Sequence, residues 1–191
     1  MPGKAPMSDL DPNQEVLLLV DIQNDYFPGG AYEVPGSLAA SEAAAALLAA
    51  FRKERRAVVH IRHLAVKPGS SFFLPQTPGA EFHALVQPTP EEPVVTKHFP
   101  NSFRETELLA VLQGLGAKRL VIVGMMTHMC IDATTRAACD LGFECTVVAD
   151  ACAAPGLSHE GVLVGPEQAH AAFLAALSGS YAKVVKAAAL A

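Results

Sequence analysis

Cys130 follows the run Leu120-Val121-Ile122-Val123-Gly124 and precedes a helical pattern through Ala133, Arg136 and Ala137, which puts it where a strand hands over to a helix. The opening turn of a helix leaves its N–H groups without backbone partners. Together with the helix dipole, those donors favour a thiolate over a thiol. A sulfur so placed could attack a carbonyl carbon. Free cysteine is also among the most buried residue types, so the same position reads equally well as one more small core residue. Two further residues bear on that choice. Asp21 ends the unbroken apolar run EVLLLV, and Lys97 ends the run PVVT. Separately, Asp21 could cap a turn and Lys97 could be a solvated surface charge. Three chemically active groups at the carboxyl ends of three separate strands, where open α/β sheets keep their sites, are less easily put down to chance.

Strands and helices alternate along the chain in the manner of a parallel sheet. The first strand spans Glu15 to Val20, and an Ala-rich helix follows from an N-cap at Ser37 to about Arg55, with Arg52, Lys53 and Arg55 gathered at its last turn. A second strand covers residues 57–62. From His63 to Glu92 the prolines and the PGSSFF and QTPGAEFH segments predict a long loop with at most a short turn. Loops of that length in a compact domain are usually functional lids. The Lys97 strand, a helix from about Arg104 to Leu115, the Cys130 strand and helix, a strand from Glu144 to Ala149, a helix from Pro166 to Leu177 and a short strand from Ala182 to Val185 complete the count. The expectation is one α/β domain over residues 15–191, a three-layer doubly wound sandwich around a mostly parallel six-stranded sheet. Residues 1–14, polar and Pro-rich without an apolar core segment, read as a flexible leader and not a signal peptide.

At 191 residues and 51% hydrophobic content the chain can bury one substantial core. A net charge of −5 without a basic cluster argues against nucleic acid as a partner, and no apolar run is long enough to span a bilayer. Cys130, Cys139, Cys145 and Cys152 show no CxxC spacing, which disfavours a zinc ribbon or a disulfide framework and suits a reducing cytoplasm. The last three read as core. The Ala-rich stretches 39–50 and 169–176 offer faces for close helix packing, compatible with a homo-oligomer or with packing inside one subunit.

The segments LLLVDIQNDYF, VVTKHFPNSF, VGMMTHMCIDATTRAACDLGF and VVADACAA together resemble the isochorismatase-like cysteine hydrolases, the group that includes nicotinamidases and N-carbamoylsarcosine amidase. The resemblance spans about Val16 to Tyr181. It implies a Rossmann-like fold with Cys130 as nucleophile, Asp21 as general base and Lys97 as the cation completing a triad. It also implies a cis peptide between Met125 and Met126 and an oxyanion hole formed by the backbone N–H groups of Met126 and Cys130. Phe27 and Phe103 would flank the nucleophile, with His98 and His128 beside it; some of the loop phenylalanines, Phe72, Phe73 and Phe99 among them, could equally pin loops to the sheet. Gln23 and Asn24 read as holding backbone groups of neighbouring loops.

Nicotinamidases carry an Asp-x-His pair after the second strand as part of a metal site. Here that stretch is HIRHLAVKPGSSF, with Ala65 at the second ligand position, so no metal and no cofactor is expected. His60 alternates with Ile61 and reads as core, while His63 could line the pocket. The function implied is cleavage of a small amide, carbamoyl or ureido C–N bond through a cysteine thioester. Two other readings stand beside it. A vinyl-ether hydrolase like true isochorismatase would not use a cysteine, and a binding module of the same fold would not require all three of Asp21, Lys97 and Cys130.

Overall fold

The computed structural model describes residues 14–190. In chain order its elements are β1 (Glu15–Val20), α1 (Ser37–Lys53), β2 (Ala57–His63), β3 (Val94–Lys97), α2 (Leu108–Gly114), β4 (Arg119–Met125), α3 (Asp132–Asp140), β5 (Glu144–Ala153), β6 (Leu157–His159), β7 (Val162–Val164), α4 (Pro166–Leu177) and β8 (Lys183–Val185). Six strands form one parallel sheet in the order β3-β2-β1-β4-β5-β8, and β6 and β7 form a separate antiparallel hairpin. Of the leader expected over residues 1–14, residues 1–13 lie outside the described residues.

The run EVLLLV lacks alternation because both faces of β1 are covered. Leu17 and Leu19 pack into the cluster that holds Ala44, Leu48 and Phe51 of α1. Val16, Leu18 and Val20 face the other way, into the cluster of Leu108 and Leu112 of α2, Ala138 of α3 and Leu177 of α4. Helices therefore lie on both faces of the sheet. The chain moves outward from β1 through β2 to β3 and then returns to the other side of β1 with β4. That reversal opens a crevice at the carboxyl ends of β1 and β4, the place where such sheets bind their ligands. Gly124 lets the two strands close up there: its φ is +119°, and a Cβ on it would stand 2.0 Å from the Val20 carbonyl oxygen.

Several boundaries differ from the sequence expectation, each for a local reason. Ser37 is the first helical residue and makes no capping bond. Gly36 precedes it in the left-handed conformation, φ 80°, and Arg55 beyond the helix is left-handed as well. Helix α2 begins at Leu108 and not near Arg104, because Thr106 bonds back to the Ser102 carbonyl (2.6 Å), receives the Leu108 N–H (3.3 Å), and follows Glu105 at φ 56°. Such side-chain bonds offer the backbone an alternative to the helix. Strand β5 continues four residues past Ala149, with a register shift opposite Ile122 and Gly124. The β6–β7 hairpin was not anticipated. Segment 64–93 has only two three-residue 3₁₀ turns, Pro78–Ala80 and Ala84–Val86.

Candidate active site

Asp21 leaves the end of β1 in the left-handed conformation, φ 52°, with its N–H bonded to the Ile61 carbonyl at 3.1 Å. Non-glycine residues held there mark positions that the surrounding structure over-determines. Lys97 ends β3, and Cys130 sits in a π-helical turn, Thr127–Ile131, between β4 and α3. Such turns often occur at functional sites. The three side chains converge. Lys97 Nζ lies 2.7 Å from Asp21 Oδ2 and 3.2 Å from Cys130 Sγ. It also reaches His63 Nδ1 at 3.0 Å and the Phe99 carbonyl at 3.1 Å. Asp21 and Lys97 are fully buried and Cys130 nearly so. Neither Asp21 oxygen has a hydrogen-bond partner among the described residues, and Oδ2 meets Lys97 as an ion pair.

Burial sets the electrostatics. It pushes the Cys130 thiol well above the usual thiol range; the charge of Asp21 adds to this, and Lys97 only partly opposes it. The thiolate favoured on helix-dipole grounds is therefore not the resting form, because loss of water outweighs the dipole and the ammonium. Burial would lower the Lys97 ammonium, yet Asp21 and Cys130 hold it above its ordinary value. Burial lowers His63 to about 4 against the pull of Asp21, and the Lys97 charge assists, so its ring is neutral. Asp21, His63 and Cys130 bring a carboxylate oxygen, a ring nitrogen and a sulfur within 4.8 Å of one another, and the cation seated among them is the Lys97 ammonium.

The Met125–Met126 peptide bond is cis. In the turn that follows, the N–H groups of Met129 and Ile131 both donate to the Met126 carbonyl, at 3.0 and 3.2 Å.

The four expected pocket residues make separate contacts. Phe27 is buried and stacks on His83, with centroids 3.7 Å apart and planes 11° apart, beside a cavity of about 380 Å³ that also touches Gly29 and Pro78. His98 Nδ1 meets the Leu64 carbonyl at 2.8 Å. Phe103 stacks on Phe143 at 6.2 Å, and His128 meets Phe173 of α4 edge-on at 5.9 Å. Phe73 is buried between Tyr26 and His63, and Phe72 packs on Tyr32, so this pair pins the lid. Phe99 lies under the Arg104 guanidinium. A larger cavity, about 510 Å³, opens between the start of α1, the end of β5 and the start of α4; its walls include Cys152 and His170 but none of Asp21, Lys97 or Cys130.

Comparison with known proteins shows the family. The model of the Isochorismatase domain matches residues 15–189. The isochorismatase-family protein YddQ of Bacillus subtilis is 48% identical over 168 residues, covering 88% of this chain and 93% of that protein. The crystal structure of an isochorismatase hydrolase from Oleispira antarctica superposes with a TM-score of 0.91 at 49% identity, over 95% of this chain and 97% of the other. The maleamate amidohydrolase of Pseudomonas putida is 32% identical over 146 residues, 69% of this chain and 68% of that enzyme. The chain belongs to the isochorismatase family. It is a hydrolase of that family, and its six-stranded parallel sheet is the family's fold.

Within this isochorismatase-family domain, several residues hold the loops around Asp21, Lys97 and Cys130. Gln23 and Asn24 do hold loops: Gln23 Nε2 donates to the His63 and Ala80 carbonyls at 2.9 and 2.8 Å, and Asn24 Nδ2 donates to Pro78 at 2.9 Å. Asp25 was not singled out. It is buried and accepts the N–H of Phe73 at 2.6 Å and of Ala31 at 3.1 Å, fastening the lid to the β1 loop. Gly79 packs directly on it, and a Cβ there would stand 2.0 Å from Asp25 Oδ1. His60 is a core histidine as expected, paired with Glu92 at 2.9 Å. Cys145 and Cys152 are buried, whereas Cys139 is only partly so.

Proposed function

We propose that this isochorismatase-family enzyme is a cysteine amidohydrolase that cleaves a small amide, carbamoyl or ureido C–N bond, with Asp21, Lys97 and Cys130 as its catalytic triad. The observation that carries this reading is the Lys97 ammonium held between Asp21 Oδ2 and Cys130 Sγ, buried at the end of the sheet where its order reverses. The similarity to maleamate amidohydrolase supports the choice of a C–N bond. Cys130 itself speaks against a vinyl-ether hydrolase, which has no use for a nucleophilic sulfur.

The buried thiol starts neutral, so its proton must leave as the sulfur attacks. Asp21 accepts it, and Lys97 stabilises the sulfur's developing charge. The new S–C bond forms a tetrahedral oxyanion that the N–H groups of Met126 and Cys130 receive. Removing one such donor typically costs 10²–10³ in rate. The C–N bond then breaks, and the amine leaves with the proton from Asp21. Water, deprotonated by Asp21, attacks the thioester; the S–C bond breaks and the thiol regains its proton. Phe27, His98, Phe103 and His128 form the substrate pocket in this reading. It involves no cofactor or metal, because the Lys97 ammonium already fills the place where Asp21, His63 and Cys130 would share a cation.

The partner is a small molecule and not nucleic acid or a membrane; among the described residues no helix is long and apolar enough to cross one. The unpaired thiols fit a reducing cytoplasm. The exposed alanines of α4, and Leu163 at 81% exposure on the hairpin, fit a homo-oligomer. Light scattering is then expected to give a dimer or tetramer, and a 20 kDa particle at micromolar concentration overturns that part.

The decisive experiment is a panel of small amides, carbamoyl and ureido compounds assayed for ammonia release with the wild type and Cys130→Ala. Turnover that disappears in the variant, with an unchanged melting curve, is expected. A variant that keeps most of the wild-type turnover rules out the cysteine mechanism.

A further inference from the structure

The Lys97 ammonium carries three protons and has four acceptor atoms around it: an ion-pair contact with Asp21 Oδ2 at 2.7 Å, and hydrogen bonds to His63 Nδ1 at 3.0 Å, the Phe99 carbonyl at 3.1 Å and Cys130 Sγ at 3.2 Å. One acceptor must share. Asp21 is charged and closest, and the Phe99 carbonyl is fixed on Lys97's own strand exit, so His63 and the sulfur are the two that compete. His63 is built for that position. It is the direct neighbour of Lys97 in the β2–β3 register, and the Gln23 amide holds both of its backbone polar groups, at 2.7 and 2.9 Å. Its ring packs on the buried Phe73.

Resting on the cysteine-hydrolase reading above, we propose that His63 is a positioning residue that takes over the Lys97 proton from the Cys130 sulfur once that sulfur is acylated. A thioester sulfur is a poor hydrogen-bond acceptor. Without His63, one N–H of a fully buried ammonium would lose its partner in the intermediate, and Lys97 would be free to shift away from Asp21 just when Asp21 must deprotonate water. In the free enzyme the same competition weakens the hold of Lys97 on the sulfur. The neutral His63 ring, faced by Asp21, Lys97 and His98, is the form that can accept.

The test uses His63→Leu, which fills the space without a lone pair, and His63→Asn, whose Oδ1 can stand where Nδ1 stood. Two probes are read, iodoacetamide against pH and the acetyl ester of p-nitrophenol in rapid mixing. Besides His63 itself, the charged or titratable groups facing the sulfur are Asp21, Lys97 and Tyr26, and both His63 single variants keep them. In His63→Leu, alkylation of Cys130 is expected to move down by about one pH unit, because His63 no longer competes with the sulfur for a Lys97 proton. The p-nitrophenolate burst should persist while steady-state turnover falls about tenfold, the rate equivalent of one buried donor left unpaired. An acetyl-Cys130 adduct should accumulate in the mass spectrum. His63→Asn should restore both. In a Lys97→Met background His63→Leu should shift the alkylation profile no further, which a merely structural role would not predict. Cys145 and Cys152 must stay unlabelled throughout, so that loosening of the fold is not mistaken for the effect. If Leu and Asn behave alike, or if the Leu profile stays or moves up, the role of His63 is overturned. A wild type whose Cys130 neither alkylates nor acylates overturns the cysteine-hydrolase reading itself, and this inference with it.

Discussion

The side-chain amide of Gln23 binds both backbone polar groups of His63, accepting its N–H at 2.7 Å and donating to its carbonyl at 2.9 Å. The loop after β1 thereby fixes the end of β2 forty residues away. The same amide also donates to Ala80, so one buried glutamine joins β1, β2 and the lid.

Gln23→Ala leaves the His63 N–H and two carbonyls without this partner in a partly to fully buried place. Each such group costs about 1–3 kcal/mol. A loss of about 3 kcal/mol or more in urea unfolding is expected, with a fall in activity because His63 and Lys97 share the strand pair. A variant as stable as the wild type would mean that water or a repacked loop replaces all three bonds.

Gly124 gives a prediction that separates contact from conformation. Gly142 is also left-handed, φ 93°, but nothing lies within 4 Å of a Cβ placed on it. Gly142→Ala should therefore cost only the backbone penalty, about 1–2 kcal/mol. Gly124→Ala adds a collision with the Val20 carbonyl and should cost more than about 4 kcal/mol or prevent folding. Thermal melts of the two variants decide it, and equal shifts would show that the close approach of β1 and β4 is not what requires glycine.

These cases show what the sequence could and could not reveal. The apolar run ending in Asp21, the run ending in Lys97 and the strand–glycine–cysteine junction were readable because burial on both faces and strand ends leave local patterns. Helix α2 was overextended because Glu105 and Thr106 look helical in composition, and only the Thr106 bonds to Ser102 and Leu108 show otherwise. The β6–β7 hairpin escaped notice because its six strand residues are largely exposed and carry no core alternation. The resting state of Cys130 also escaped. Helix-start reasoning counts donors and dipoles but not the water removed, and here desolvation wins. His63 and Asp25 act through partners 34 and 48 residues away, which no local pattern encodes.

Lys97→Met removes the cation between Asp21 and Cys130. The thiol, already raised by burial and by Asp21, loses its one opposing charge, so its alkylation profile should move to still higher pH. Activity near neutrality should fall by about 10²–10⁴. Lys97→Arg should restore little, since a planar guanidinium does not fit a site shaped for a compact ammonium. An unchanged alkylation profile in Lys97→Met would show that Lys97 does not act on the sulfur.

Acid stability follows from two buried histidines and one carboxylate. Burial lowers His63 from 6.5 to about 4 and lowers His60 as well. Above pH 6.5 these rings are neutral in folded and unfolded chains alike, so stability is full. Between 6.5 and about 4 the unfolded chain takes up protons that the folded His63 refuses, and stability must fall as pH falls. Glu92 has the same sign lower down. Burial alone would raise it, but Arg52, the Thr89 N–H and His60 hold it down to about 2. Its contribution is present above about 4.5 and is lost as the pH drops toward 2. For His63 the loss is at most about 3–4 kcal/mol, from roughly 1.4 kcal/mol per unit of pKa difference. Urea unfolding at pH 7.5, 5.5 and 4.5 should show a steady decline, and His63→Asn should make it shallower by removing the histidine whose ring is most strongly held neutral. Stability that holds constant or rises over that range would mean that His60 and His63 are already protonated in the fold, and that the neutral acceptor assigned to His63 does not exist.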